Sequence, residues 1–119
     1  MDFVEAVRLG CEQTTETRGL FKFDEKLGIT GACVLGAAFL GAGFVEILGM
    51  FSIAKLGTTA IAIKLREMFP VLNAAGSACP AESCKYLMPM TPTVLAVHLN
   101  DFHRWPRMRT AKHIQNLGS

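Results

Sequence analysis

Two cysteines and two histidines in the second half of the chain have the types and the spacing of a metal site. Cys79 and Cys84 are separated by four residues, thirteen residues follow, and His98 and His103 are again separated by four. Zinc fingers use a similar order of two cysteines and two histidines, and zinc prefers four such sulfur and nitrogen donors in a tetrahedron. The sequence therefore predicts one structural Zn²⁺ held by these four side chains.

The competing interpretation gives the four residues separate roles: two buried thiols, one core histidine and one surface histidine. Positions 98 and 103 lie about 140° apart on an ideal α-helix, so both imidazoles reach one ion only if the helix changes its winding near its end. Prolines between residues 80 and 92 disfavour the hairpin of a standard finger, because proline cannot donate to a strand ladder. We therefore expect a knuckle followed by a helix.

Residues near the four ligands fit supporting roles. Asn100 and Asp101 could each hold an imidazole N–H and so orient a histidine ligand. Met88 and Leu95 occupy positions that are apolar in zinc fingers. A site closed by four protein ligands leaves no vacant position for an activated water, so we expect a non-enzymatic protein.

The enzymatic alternative depends on Cys33, which precedes a glycine-rich helix that could lower its pKa, with a histidine as the base. The simpler interpretation of Cys33 is a small buried apolar residue, and the role of Cys11 stays open. The first thirteen residues contain acids where a signal peptide has basic and apolar runs, so we expect a reducing, intracellular setting in which cysteines bind metal.

Charge is unevenly distributed along the chain. Residues 1–50 contain seven acidic and four basic residues, whereas residues 51–119 contain three acidic and eight basic ones. A basic group with one aromatic side chain is a candidate contact surface for nucleic acid or a protein partner. Its members are Arg104, Trp105, Arg107, Arg109 and Lys112. The simpler interpretation is a solvated helix face, and the apolar start of the preceding helix argues against base reading.

Length and composition predict one small, mainly α domain. The chain has 119 residues, of which 50% are hydrophobic, enough for a core of its own. One short hairpin or extended segment is expected near Phe21. Two parts are expected within the domain, a helical core part (1–70) and a zinc-knuckle and helix unit (77–119). Capping residues and apolar periodicity predict helices over 2–12, 32–40, 58–69, 91–103 and 106–117.

Residues 27–45 contain no charged side chain and are long enough for a transmembrane helix. They include five glycines, and small residues at four-residue spacing are typical of helix packing in bilayers. The same glycines lower the hydrophobicity, and no cluster of Lys or Arg flanks the segment. We favour a buried core helix over about 32–40, ended by Gly41 or Gly43, and keep a membrane span as the alternative.

The segment HLNDFHRWPRMRTAKHI resembles the C-terminal end of a group of small uncharacterised bacterial and phage proteins. These proteins have paired cysteines and a His-Leu-Asn-Asp-x-His-x-Trp-x-Arg motif, here formed by residues 98–107. GACVLGAA (31–38) is similar to a second element of the same group. The group's cysteines are more closely spaced, and its last helix ends differently.

The resemblance implies a phage or prophage setting and a soluble domain stapled by zinc, but no activity. The location implied is the cytoplasm of a bacterial host or the virion. The apolar composition favours a protein partner or a homo-oligomer, and in this setting the partner would be a virion component or a host factor. Nucleic-acid binding stays the alternative.

Overall fold

The fold is arranged around one apolar helix, which packs against all the other helices named below. A computed structural model describes residues 1–49, 52–53 and 55–118. The helices are α1 (Phe3–Gln13), α2 (Val34–Gly41), α3 (Phe44–Leu48), α4 (Thr58–Met68), α5 (Pro92–Val97) and α6 (Arg107–Asn116). The strands are β1 (Thr15–Glu16), β2 (Phe21–Asp24) and β3 (Gly28–Ala32). The expected mainly helical fold is confirmed, and α2 is the central helix.

The expected hairpin is present, but it belongs to a three-stranded sheet of order β1-β3-β2. Strands β2 and β3 pair antiparallel across a turn in which Oδ1 of Asp24 accepts the backbone N–H groups of Lys26 (2.8 Å) and Leu27 (2.9 Å). Strand β1 adds to the other edge of β3 in parallel. Strand β1 has only two residues, which is too short for the alternation of apolar and polar residues that predicts a strand.

The uncharged segment 27–45 divides into three elements. It supplies β3, then α2, and then the start of α3, with Gly43 at a φ of 84° between the two helices. Residues 34–40 are all buried, as expected for a core helix. Among the described residues, no helix combines the length and the apolar content needed to cross a bilayer.

Glycines let α1 and α2 approach closely in an antiparallel pair. A Cβ atom added at Gly10 would overlap the backbone carbonyl oxygen of Ala37, and one added at Gly41 would overlap that of Ala6. The small-residue spacing that suggested packing in a bilayer thus serves packing between two helices of the same chain.

Helix α1 is capped as the sequence predicted, since the carboxylate of Asp2 accepts the backbone N–H of Glu5 at 2.8 Å. Helix α4 has Gly57, and not a threonine, as its N-cap. Its inner face consists of buried Ile61 and Leu65. The apolar spacing of Ile61 and Leu65 continues to Met68, which is nevertheless exposed. The buried side chains beyond Leu65 are Phe69, the N-cap of the following 3₁₀ turn (Pro70–Asn73), and Leu72 within that turn.

The two expected parts of the chain share one apolar core. Leu95, Leu99 and Ile114 from the second part are fully buried together with Phe3 and Phe39 from the first. The backbone N–H of Phe3 also donates to Oε1 of Gln115 at 3.1 Å. Residues 1–70 and 77–119 therefore form one folding unit in this structure.

Candidate metal centre

Cys79, Cys84, His98 and His103 form a Cys2His2 cluster. The four donor atoms all lie within 4.8 Å of one another, and all four residues are half-buried. Nε2 of His98 is 3.1 Å from Nε2 of His103 and 3.4 Å from Sγ of Cys84. The predicted convergence of these side chains is confirmed, and the cluster is positioned to hold a metal ion.

The short distances fit the edges of a coordination tetrahedron. With bonds of about 2.0 Å to nitrogen and about 2.3 Å to sulfur, an ideal tetrahedron separates two nitrogens by about 3.3 Å and a nitrogen from a sulfur by about 3.5 Å. The nitrogen of His98 has two such neighbours. A neutral imidazole nitrogen offers either one proton or one lone pair, so two good hydrogen bonds from it are excluded. One shared cation would account for both contacts.

A π turn brings the two histidines together. Residues His98–Phe102 continue α5 with π-helical winding, and the backbone N–H of His103 donates to the carbonyl oxygen of His98 at 3.1 Å. This five-residue hydrogen bond widens the helix and removes much of the angular separation that an α-helix would impose. The change of winding that the histidine spacing required is therefore present.

The two cysteines lie in a loop that contains no strand. The Cys loop (residues 77–90) is closed by a single antiparallel bridge, in which Ser77 and Met90 exchange two backbone hydrogen bonds of 2.9 Å. A turn with a hydrogen bond from Cys84 N–H to the carbonyl of Ala81 brings the second cysteine back. The centre is thus a loop followed by a helix, as the prolines indicated. Of the two finger-like apolar positions, Leu95 is buried and Met88 is 64% exposed.

The surroundings of His98 and Cys79 favour the neutral forms of these two donors. Partial burial, together with the nearby His103, lowers the pKa of His98. Partial burial and the neighbouring Cys84 raise the pKa of the Cys79 thiol. A bound dication reverses the effect on the thiols, because it stabilises thiolates directly.

The contacts of Asn100 and Asp101 are made with groups other than the imidazoles. Oδ1 of Asn100 accepts the backbone N–H of Val34 at 2.9 Å, and its Nδ2 donates to the carbonyl of Trp105 and to Glu16. Burial raises the pKa of the Asp101 carboxyl group, and the nearby Gly19 backbone N–H and Arg18 oppose this rise. Within the described residues, neither side chain hydrogen-bonds to a histidine. Asn100 fixes the π turn against the start of α2, which is a structural role.

Arg107 was expected on a basic contact surface, but its side chain is only 10% exposed. Its guanidinium donates to the hydroxyl and the carbonyl of Thr14 at 2.8 and 3.0 Å, and to the carbonyl of Ala32 at 3.3 Å. Its backbone N–H donates to Glu16 at 2.9 Å. These contacts connect the start of α6 to the end of α1 and to the sheet. The residue is therefore removed from the candidate contact surface.

Replacing Arg107 should destabilise the protein. Arg107→Ala leaves two carbonyl groups without their charged donor, and we expect a loss of about 3 kcal/mol in the free energy of unfolding. Arg107→Lys should recover only part of this, because one ammonium cannot reproduce the fork of donors. Urea denaturation measures the loss, with the exposed Lys112→Ala as the control, expected within about 0.5 kcal/mol of wild type. Equal stability of the Arg107 and Lys112 variants would contradict this role.

The remaining residues of the predicted basic surface have different environments. Trp105 is half-buried, and the guanidinium of Arg109 lies 3.8 Å from the centre of its ring, so Arg109 already covers one face of the indole. Arg104, Arg109 and Lys112 are exposed. The structure thus offers three exposed cations and a covered tryptophan, not the stacking surface that the sequence suggested.

Arg104 ends the helix after the π turn in a left-handed conformation, with φ of 57°. The backbone N–H of Trp105 then donates to the carbonyl of Leu99 at 2.9 Å, a Schellman-type closure enlarged by one residue. We expect Arg104→Val to cost about 2 kcal/mol, since a β-branched residue is strongly disfavoured there, whereas Arg104→Gly should be neutral or slightly stabilising. Thermal melts of the two variants, compared with wild type, test this. A valine variant as stable as the glycine variant would exclude the left-handed cap.

The other two cysteines lie outside the cluster. Cys33 is buried as the N-cap residue of α2, and burial raises its pKa, in keeping with the apolar interpretation of this residue. Burial likewise raises the pKa of Cys11. Neither environment favours the reactive thiolate that a nucleophile needs.

Two aromatic residues of the site were missed in the sequence. The ring of Phe102 stacks on His98 with centroids 5.1 Å apart. The ring of Tyr86 is tilted against the same imidazole, with centroids 6.4 Å apart. Phe102 is four residues after His98, so helical spacing could have indicated it. Tyr86 follows Cys84 in an irregular loop and had no periodic signal.

The fold and the site define a small mainly helical domain with a Cys2His2 cluster on a loop and a π turn. No protein-family model, curated protein or solved structure matches the chain. Arguments about function therefore depend on the residues themselves.

Proposed function

We propose that the protein is a non-enzymatic binding module whose Cys2His2 cluster holds one structural Zn²⁺. The observation that carries this proposal is the spacing of the donor atoms, 3.1 Å between the two imidazole nitrogens and 3.4 Å between His98 and Cys84. Two sulfur and two nitrogen donors, a set that zinc binds as a tetrahedron, suit zinc better than the oxygen-preferring cations. Four protein donors complete its usual coordination, which supports a structural role.

The metal would shape the surface as well as stabilise it. The Cys loop is held at its base by the Ser77–Met90 bridge, and within the described residues it contains no other element of regular structure. A zinc ion would fix residues 79–84 against the π turn, and so would set the position of the neighbouring exposed side chains. The function we propose is recognition of a partner protein through this surface. The resemblance to small phage proteins supports a virion component or a host protein as that partner.

Metal analysis tests the proposal. Protein purified without added metal should contain one zinc per chain by elemental mass spectrometry. Cys84→Ser and His98→Ala should lose it, and Cys11→Ser should keep it, because Cys11 lies outside the cluster. Cobalt in place of zinc should give the absorption of a tetrahedral site with thiolate ligands. Wild-type protein that is folded and free of zinc would overturn the proposal, as would zinc retained in both ligand variants.

A further inference from the structure

An apolar groove of about 1010 Å³ lies beside the Cys2His2 cluster. It is bounded by α4, by the Cys loop and by α5 with its π turn. Its apolar lining is formed by Leu35, Ala62, Met90, Val94, Val97 and Phe102. Leu35 at its base is 1% exposed, whereas Val94 and Phe102 on its wall are 54% and 71% exposed. The groove thus has a packed floor and an accessible apolar wall.

The wall of the groove includes an exposed apolar side chain from a helix that also contributes to the core. In α5, Leu95 and Ala96 are buried, but Val94 points outward into the groove. Tyr86, at 54% exposure, extends the apolar surface from the Cys loop. Apolar surface concentrated in a concave site marks binding sites more often than chance exposure does. A volume at the upper end of the small-molecule range, open along one side, suits a peptide segment.

The charges at the groove are predominantly positive. Arg66 on α4 and Lys85 in the Cys loop both line it. Within the described residues, neither has a carboxylate at ion-pair distance. The one acidic lining residue, Asp101, lies close to Arg18 and interacts with its charge. The groove therefore complements a ligand that is apolar and carries negative charge.

A second copy of the chain fits this surface less well. Among the described residues, the longest run of exposed large apolar side chains that it could insert is Tyr86, Leu87 and Met88 of the Cys loop, and Lys85 is adjacent to this run. Insertion would bring that lysine towards Arg66 and Lys85 of the first copy. Like charges brought together in this way oppose association.

We propose that the groove between α4, the Cys loop and α5 binds a segment of a partner protein that presents bulky apolar side chains next to Asp or Glu. Val94 and Phe102 contact the apolar side chains, and Arg66 and Lys85 pair with the carboxylates. The proposal rests on the proposed zinc site, since that site holds the Cys84–Tyr86 wall in place.

Selection from a library of short random peptides displayed on yeast, with the zinc-loaded full chain as bait, tests the proposal. Enriched peptides should combine two or more bulky apolar residues with an excess of Asp and Glu over the unselected library. Val94→Asp should weaken binding of the recovered peptides by about tenfold or more. Ile47→Asp is the matched control, because Ile47 is 75% exposed on α3 and lies outside the groove, and it should leave the affinity unchanged.

A charge reversal sharpens the test. The double variant Arg66→Glu and Lys85→Glu should shift the enrichment from acidic to basic peptides. No enrichment, enrichment without acidic residues, or equal weakening by the Val94 and Ile47 variants would overturn the proposal. So would a dimer in sedimentation that dissociates on Val94→Asp, because a second copy would then occupy the groove. Zinc is measured on every bait: zinc without peptide binding refutes the groove alone, and peptide binding without zinc refutes the metal site alone.

Discussion

Chelation of the metal is expected to lower the free energy of unfolding by about 5 kcal/mol or more, and the melting temperature by on the order of 15 °C or more. Structural zinc contributes on the order of 10 kcal/mol in small finger peptides, while a whole domain is stable by only about 5–15 kcal/mol. The Cys loop is expected to depend most on the proposed zinc, because a single bridge closes it. Melts with and without a strong chelator, followed by circular dichroism, measure the effect.

Ligand variants separate loss of metal from side effects of the chelator. Cys84→Ser and His98→Ala should melt at the temperature of the chelated wild type, and chelator should not lower it further. Cys11→Ser is the control, because it removes a thiol outside the cluster. Its melting temperature should be near that of wild type, and it should still fall on addition of chelator. Amide hydrogen exchange should show loss of protection in residues 77–103 before loss in α1 and α2. A wild-type melt that chelator leaves unchanged would refute a structural metal.

Gly41→Ala is expected to destabilise the protein by about 3 kcal/mol, near the upper limit for a single added methyl group. The new Cβ would overlap the backbone carbonyl oxygen of Ala6, and a backbone atom cannot rotate away as a side chain can. Helix α1 would have to separate from α2, which would loosen the buried contacts of Phe3 and Val7. Urea denaturation measures the change.

Gly57→Ala is the matched control for this prediction, because nothing lies within 4 Å of an added Cβ there. We expect it to cost about 1 kcal/mol or less, through weaker capping of α4. The double variant Gly10→Ala and Gly41→Ala should cost less than the two single changes together, since one separation of the helices relieves both overlaps. A Gly41 variant as stable as the Gly57 variant would show that the two helices do not pack this closely.

The candidate site was predictable from sequence to the extent that it depends on residue type and spacing. The order and spacing of Cys79, Cys84, His98 and His103 were sufficient to predict that the four side chains converge. The five-residue step between the histidines implied a change of helical winding. That change is a π turn, and its Asn100 hydrogen-bonds to Val34 and Glu16. Contacts so distant in sequence leave no local pattern.

The predictions that were wrong concern residues with similar local sequence patterns, which tertiary packing places in different environments. Arg107 and Arg109 look alike in the local sequence, yet within the described residues it is Arg107 that donates to the carbonyl groups of Thr14, at the end of α1, and Ala32, in β3. Met68 continues the apolar face of α4, but the chain turns at Pro70 and covers that face with other residues. Helix α5 is nearly all apolar. The sequence therefore could not distinguish the side that packs in the core from the side on which Val94 lines the groove.

The hydrogen bond between the backbone of Phe3 and the side chain of Gln115 has a consequence for synthesis. Its two residues are 112 apart, and they join the first helix of the fold to the last. During translation α1 and α2 emerge early, but the core around Phe3 stays open until α6 has left the ribosome. This core is therefore expected to close only after α6 has emerged, and a nascent chain stalled before Arg107 should remain sensitive to protease.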